Sequence, residues 1–168
     1  MTATPNQVRG SAHQHAGVLS LAFHPSSVPG ARVSLPLKPK QTLEPYGAHV
    51  SRYGVTQLAR SRRPVQEIVA LAERWNIRGR GGAGFPLATK LQAVSRAAAR
   101  TRRAVVIGNG SESEPLSFKD RTLLWENPHL VLDGLELAAI ALHTKDVYLA
   151  IHANPILADY LRAAIADR

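Results

Sequence analysis

Ala104-Val105-Val106-Ile107-Gly108-Asn109-Gly110-Ser111 is a short apolar run with turn residues directly behind it. Such a run, too short for a helix, reads as a buried strand from Ala104 to Ile107. A polar loop follows from Asn109 to Ser117, and Ser117-Phe118-Lys119-Asp120-Arg121 continues it. Pro128 then opens a helix with Val131, Leu135, Ala138, Ala139 and Leu142 on one face, and Val147 to Ile151 is a second strand. Asn154-Pro155 is a helix start, and Leu157, Tyr160, Leu161 and Ala164 form the buried face of that last helix. Strand, helix, strand, helix predicts a parallel βαβ unit with a right-handed crossover. Two strands make a poor sheet, so the domain reads as incomplete.

Working back toward the N-terminus, Arg100, Arg102 and Arg103 make an arginine-rich turn. Before it, Pro86 fits a helix start, and Leu87, Leu91, Val94 and Ala98 recur at helical spacing. Residues 78–84, Arg-Gly-Arg-Gly-Gly-Ala-Gly, hold too much glycine for any regular element and are a loop. An earlier helix opens at Pro64, with Val65, Ile68, Val69, Ala72 and Trp75 as its apolar stripe. A short amphipathic piece runs through Val50 and Tyr53 to Gly54. Residues 1–42 are proline-broken and lack periodicity, which predicts an irregular, disordered tail before a folded part spanning 43–168. His13, His15 and His24 lie in that tail without partners at ligand spacing, so a solvated segment is favoured over a metal site. The fold class expected is α/β: an incomplete Rossmann-like parallel βαβ unit preceded by helices and an irregular N-terminal tail.

The 168 residues carry 21 basic and 12 acidic side chains, a net charge of +9, which suits anionic partners such as phosphorylated cofactors. Cysteine is absent, so this chain alone can build no disulfide, zinc–thiolate site or iron–sulfur cluster. No apolar run approaches the roughly 20 residues needed to span a bilayer, and the N-terminus lacks the pattern of a secretion signal. A cytoplasmic location is expected, with peripheral membrane attachment through partner subunits as the other arrangement this allows.

Two motifs carry chemistry. Gly79, Gly81 and Gly84 fit G-x-G-x-x-G, but a helix ending near Asn76 precedes the loop where the dinucleotide fingerprint needs a strand. The standard Rossmann reading is therefore rejected, while the physics of the loop stands. Consecutive glycines leave backbone N–H groups unshielded, and such a nest binds anions. The helix starting near Pro86 aims its positive end at the same place, and Arg78, Arg80 and Lys90 add charge. The alternative is a tight turn with glycines at positive φ, which rarely needs so many. The second motif, Asn109-Gly110-Ser111-Glu112-Ser113-Glu114-Pro115, follows a strand, where ligands of open α/β sheets lie. Its amide and carboxylates can hydrogen-bond ligand hydroxyls and amides, and its alternative is a solvated acidic loop.

Together these segments resemble the FMN- and NADH-binding 51-kDa-type flavoprotein subunit of respiratory complex I. The same module occurs in NAD-linked hydrogenases and formate dehydrogenases. The resemblance rests on Arg78 to Pro86, Lys90, Asn109, Glu112, Glu114-Pro115, Phe118 to Arg121 and Pro128-His129-Leu130, and covers about residues 64–152. It implies that Gly79, Arg80, Gly81, Gly82 and Gly84 line a flavin and dinucleotide site, with Phe85 near the adenine of NADH. It further implies that Lys90 and Asn109 contact FMN, and that Glu112 and Glu114 hold the flavin ribityl or the nicotinamide ribose. Hydride would pass from NAD(H) to FMN, and electrons onward to a 4Fe-4S centre for which this chain has no ligands. Other redox subunits or a ferredoxin are the partners implied.

The family usually has aspartate where Ser111 stands and glycine where Ser113 and Leu116 stand, so the chain is closer to the non-respiratory, ferredoxin-associated relatives. The family also continues with a second flavin loop, a β-grasp domain and a cysteine-bearing helical domain. None of these is present here, so the chain reads as an N-terminal piece or a degenerate frame. The rival functions are a non-catalytic remnant that pairs with a partner protein and a basic nucleic-acid-binding protein. The latter lacks aromatic platforms and any recognisable nucleic-acid module.

Overall fold

A computed structural model describes the backbone of residues 16–21 and, in full, residues 42–54, 60–80, 83–112 and 116–168. The elements run in the order β1 (Ala16–Leu21), α1 (Tyr46–Tyr53), α2 (Pro64–Arg74), α3 (Leu87–Thr101), β2 (Val106–Gly110), α4 (Lys119–Glu126), α5 (Pro128–Ala141), β3 (Val147–His152) and α6 (Pro155–Ala166). The fold is α/β, and its central unit is the expected parallel pair joined through helices. Val106 pairs with Val147 and Gly110 with Ile151. His13 and the other two tail histidines lie outside the described residues.

The pairs of this register explain the core. Val106 with Val147, Gly108 with Leu149, and Gly110 with Ile151 share one face of the sheet. Helices α4 and α5 pack on β2 there, and Val106, Val147, Leu149 and Ile151 are buried with Leu132, Leu135, Leu157 and Leu161. At about 25 cal/mol per Å² of apolar surface removed from water, this cluster is the main source of stability. A second, smaller cluster of Val69, Ala72, Ala88 and Leu91 holds α2 against α3. Asn154 caps α6, its Oδ1 accepting from the Leu157 amide at 3.1 Å, as the Asn-Pro signal predicts.

Four readings are corrected. The stretch 1–42 is not irregular throughout, because Ala16–Leu21 forms an antiparallel strand on β3, giving a three-stranded sheet of order β1-β3-β2. Its pairing partner lies far along the chain, so no local pattern announces it. The strand read as fully buried is half-exposed, with Ile107 at 64%. β2 is an edge strand covered on one face only, so its burial alternates along the chain. The polar loop ends earlier than expected, since Lys119 starts α4. Finally, Trp75 leaves the α2 stripe and is 69% exposed, because the helix ends at Arg74 and Trp75 is its C-cap.

A buried polar group ties α1 to α5 and to the end of α6. His49 Nε2 donates to Asp133 Oδ2 at 2.7 Å. Arg168 donates to Asp133 Oδ1 and Glu136 Oε2, both at 2.7 Å, and its guanidinium lies 4.5 Å from the Tyr46 ring centroid. Burial pushes the Glu136 carboxyl above the usual carboxylate range, whereas burial at Asp133 is outweighed by His49 and Arg168, which hold its carboxyl low.

His129 Nε2 donates to the Glu44 carbonyl at 2.9 Å, which leaves Nδ1 as the unprotonated nitrogen, buried and without a hydrogen-bond partner among the described residues. Protonating Nδ1 would put a charge in an apolar setting near Arg168 and His49, so burial holds the His129 pKa below 6.5. The neutral ring is thus the folded form, and in this window the unfolded chain binds more protons. The His129 contribution is complete above the unfolded pKa of about 6.5 and is lost as pH falls from there toward the folded value. We expect the urea midpoint to drop between pH 7.5 and 5.5, and His129→Gln, which can still donate to Glu44, to flatten that slope. An equal slope in the variant would assign the pH dependence to other groups.

Candidate flavin site

The glycine loop is a pinched hairpin between α2 and α3. Arg78 and Pro86 form an antiparallel bridge. The Gly79 amide donates to the Phe85 carbonyl at 2.9 Å and the Leu87 amide to the Ile77 carbonyl at 2.9 Å. The Arg78 guanidinium closes the loop from inside, donating to the Gly84 carbonyl at 3.2 Å and to Asn76 Oδ1 at 2.9 Å. Gly84 takes φ of +58°, a conformation that glycine adopts without Cβ strain. Gly81 and Gly82 lie outside the described residues.

Arg78 is thus structural, and the charges left to face a ligand are Arg80 and Lys90. Both are exposed, and neither side chain forms a hydrogen bond or ion pair within the described residues. Lys90 stands in the first turn of α3, where the unpaired helix amides also attract anions. Phe85 is 50% exposed and presents ring surface beside them. Unpartnered cations, a helix N-terminus and an open aromatic ring fit a phosphate-bearing aromatic cofactor.

The second loop lies at the carboxyl ends of the parallel strands, as expected for a ligand loop of an α/β sheet. Asn109 Oδ1 accepts from the Ser111 amide at 3.1 Å, bending the chain out of β2. Glu112 Oε1 accepts from Lys119 Nζ at 2.6 Å, and Oε2 accepts from the Asp120 amide at 2.9 Å. The Lys119 ammonium first, and the Asp120 amide next, hold the Glu112 carboxyl down to about 2. Asp120 and Glu112 together raise Lys119 above the ordinary ammonium range. The His152 ring donates to the Glu112 carbonyl. Glu114 lies outside the described residues. Leu116 is 94% exposed, and the Arg121 guanidinium sits 5.3 Å from the Phe118 ring centroid.

Two contributors escape a reading of the sequence. Lys119 has no evident role within its motif, yet it clamps Glu112. His152 reaches the loop because the parallel register sets Gly110 beside Ile151, the residue before it. A signal for His152 exists in the sequence: two adjacent parallel strands end side by side. The glycine loop and the strand-end loop belong to different substructures, and α5, which packs on both α2 and β2, holds them in one body.

An α/β unit with an anion-attracting glycine loop and a charged loop past its parallel strands defines a phosphate-cofactor-binding domain. Residues 72–168 match the Nuo51 FMN-binding domain family, more than half of the sequence, and the chain belongs to that family. Its relatives include F subunits of bacterial NADH-quinone oxidoreductases. It is 38% identical over 92 residues to the second such protein of Rhizobium meliloti, covering 55% of this chain and 21% of that protein. The Aquifex aeolicus protein is 36% identical over 104 residues, 61% of this chain and 24% of the relative. The Streptomyces coelicolor protein is 34% identical over 118 residues, 69% of this chain and 25% of the relative. The chain therefore spans about a quarter or less of the length of these relatives. Among the described residues, no helix is long and apolar enough to cross a membrane.

Proposed function

We propose that this chain supplies the phosphate-side wall of a flavin site in an NADH-oxidising flavoprotein. The observation that carries the reading is the pair of unpartnered cations, Arg80 and Lys90, at the glycine loop and first turn of α3. Bound FMN would supply the chemistry, accepting hydride from NADH and releasing electrons singly to an iron–sulfur acceptor. The chain's residues bind and orient. Lys90 and Arg80 neutralise phosphate, the glycine loop allows close backbone approach, and Phe85 offers a stacking surface to the dinucleotide. Asn109, on the exposed side of β2, is available to a ligand amide or hydroxyl. Glu112, ionised and gripped by Lys119, shapes the loop and can still accept from a ribityl or ribose hydroxyl through its remaining lone pairs. These 168 residues hold no cysteine, so thiolate ligands for a cluster would come from outside them, other redox subunits or a ferredoxin included. A location in the cytoplasm or at a membrane periphery goes with such partners.

Flavin fluorescence titration of the 168-residue chain tests this. Lys90→Gln should weaken FMN binding about tenfold, the scale of one charge-assisted phosphate contact. Ser111→Asp, which restores the family's usual acid, should tighten it. Unchanged affinity in both variants would remove these loops from the flavin site.

A further inference from the structure

At the opposite end of the α2–α3 hairpin lies a second concave basic surface. The glycine loop joins the end of α2 to the start of α3, whereas this cavity of about 390 Å³ is lined by the start of α2 and the end of α3. With α2 of 11 residues, the two sites are separated by about 16 Å of helix at 1.5 Å per residue. Arg62 and Arg63 enter the cavity from before α2, Arg102 and Arg103 from after α3, and His143 from after α5. None of the four guanidinium groups has a carboxylate partner among the described residues. All four side chains are exposed, so water screens part of their mutual repulsion, and a bound anion would relieve the rest.

The backbone places two of the cavity's side chains. Arg102 has φ of +55° and His143 φ of +51°. Both follow helix ends, positions where glycine is the preferred residue because an L side chain is strained in the left-handed region. The chain instead carries a nitrogen-bearing side chain at each, and both line the same cavity. Asn76 takes φ of +46° after α2 in the same way without lining the cavity, so left-handed helix ends recur in this fold, and the two at the cavity bring nitrogen-bearing side chains to its wall.

We propose that this cavity binds a small, multiply charged phosphate anion, at a site separate from the flavin loops. Its size falls at the low end of small-ligand pockets, roughly 300–1,000 Å³. Planar guanidinium forks converging from two helices suit several phosphate oxygens at once.

Inorganic tripolyphosphate, titrated calorimetrically into the 168-residue chain at low salt, is the probe. Arg102→Gly with His143→Gly should weaken binding about tenfold while raising Tm by about 2–4 °C, since glycine relieves the strain. Arg62→Gln with Arg63→Gln should weaken binding as much. Arg52→Gln with Arg162→Gln, remote from both the cavity and the glycine loop, should stay within about twofold. Full affinity in the double-glycine variant would overturn the proposal. So would an equal loss in the remote variant, which would mean diffuse attraction to net charge. A single-stranded oligonucleotide that binds more tightly than tripolyphosphate, and is lost in the same cavity variants, would replace the small-anion reading with a nucleic-acid one.

Discussion

Arg168→Ala is expected to cost about 3 kcal/mol of stability, because removing one partner of a buried ion pair leaves the other charged without compensation. Arg168 and Glu136 are paired at 2.7 Å with side chains only 7% and 8% exposed. The same guanidinium bonds Asp133, which in turn holds His49, and covers the Tyr46 ring. Losing it therefore loosens α1 and α6 from α5 together. Urea unfolding at neutral pH measures the loss. Arg168→Met combined with Glu136→Met should recover most of it, since an apolar pair of similar volume leaves no orphaned charge at Glu136. A single variant within about 0.5 kcal/mol of the parent would show the pair to be screened by water.

The second large effect is expected at Gly108→Ala, about 2 kcal/mol through overpacking. An ideal Cβ at Gly108 would lie 2.8 Å from Leu135 Cδ2 and 3.2 Å from Leu149 Cδ1. Leu135 is a buried residue of α5, so it has little room to turn away. The glycine is what lets α5 lie close on β2, and that contact holds the strand whose end carries Asn109 and Ser111. Leu135→Val should offset part of the loss in a double variant, and thermal unfolding of the four forms reads the coupling. Strict additivity would show that the two side chains do not meet.

The strong local signals were legible because they are local. Pro64 and Pro86 mark helix starts through fixed φ, Asn154 caps its helix with its own side chain, and the glycine loop excludes regular structure wherever it occurs. The run at Ala104 likewise specified a strand. It could not specify that one face stays open, because that depends on β2 lying at the sheet edge with its helices on one side. Ala16–Leu21 was invisible for a related reason: it is a strand by virtue of hydrogen bonds to β3, more than a hundred residues away.

At the site, sequence alone carried the expectation that two loops bind a phosphorylated cofactor, since backbone amides, lysine and arginine attract anions anywhere. Only the tertiary structure decided how the charges divide. It closes Arg78 onto its own loop and leaves Arg80 and Lys90 facing outward. It also fixes Glu112, a candidate ligand contact, between Lys119 and the first turn of α4. It likewise gathered Arg62, Arg63, Arg102, Arg103 and His143, scattered over three helix ends, around one cavity. A charge is written into the sequence. Its free or compensated state is a property of distances, and distances exist only once the chain has folded.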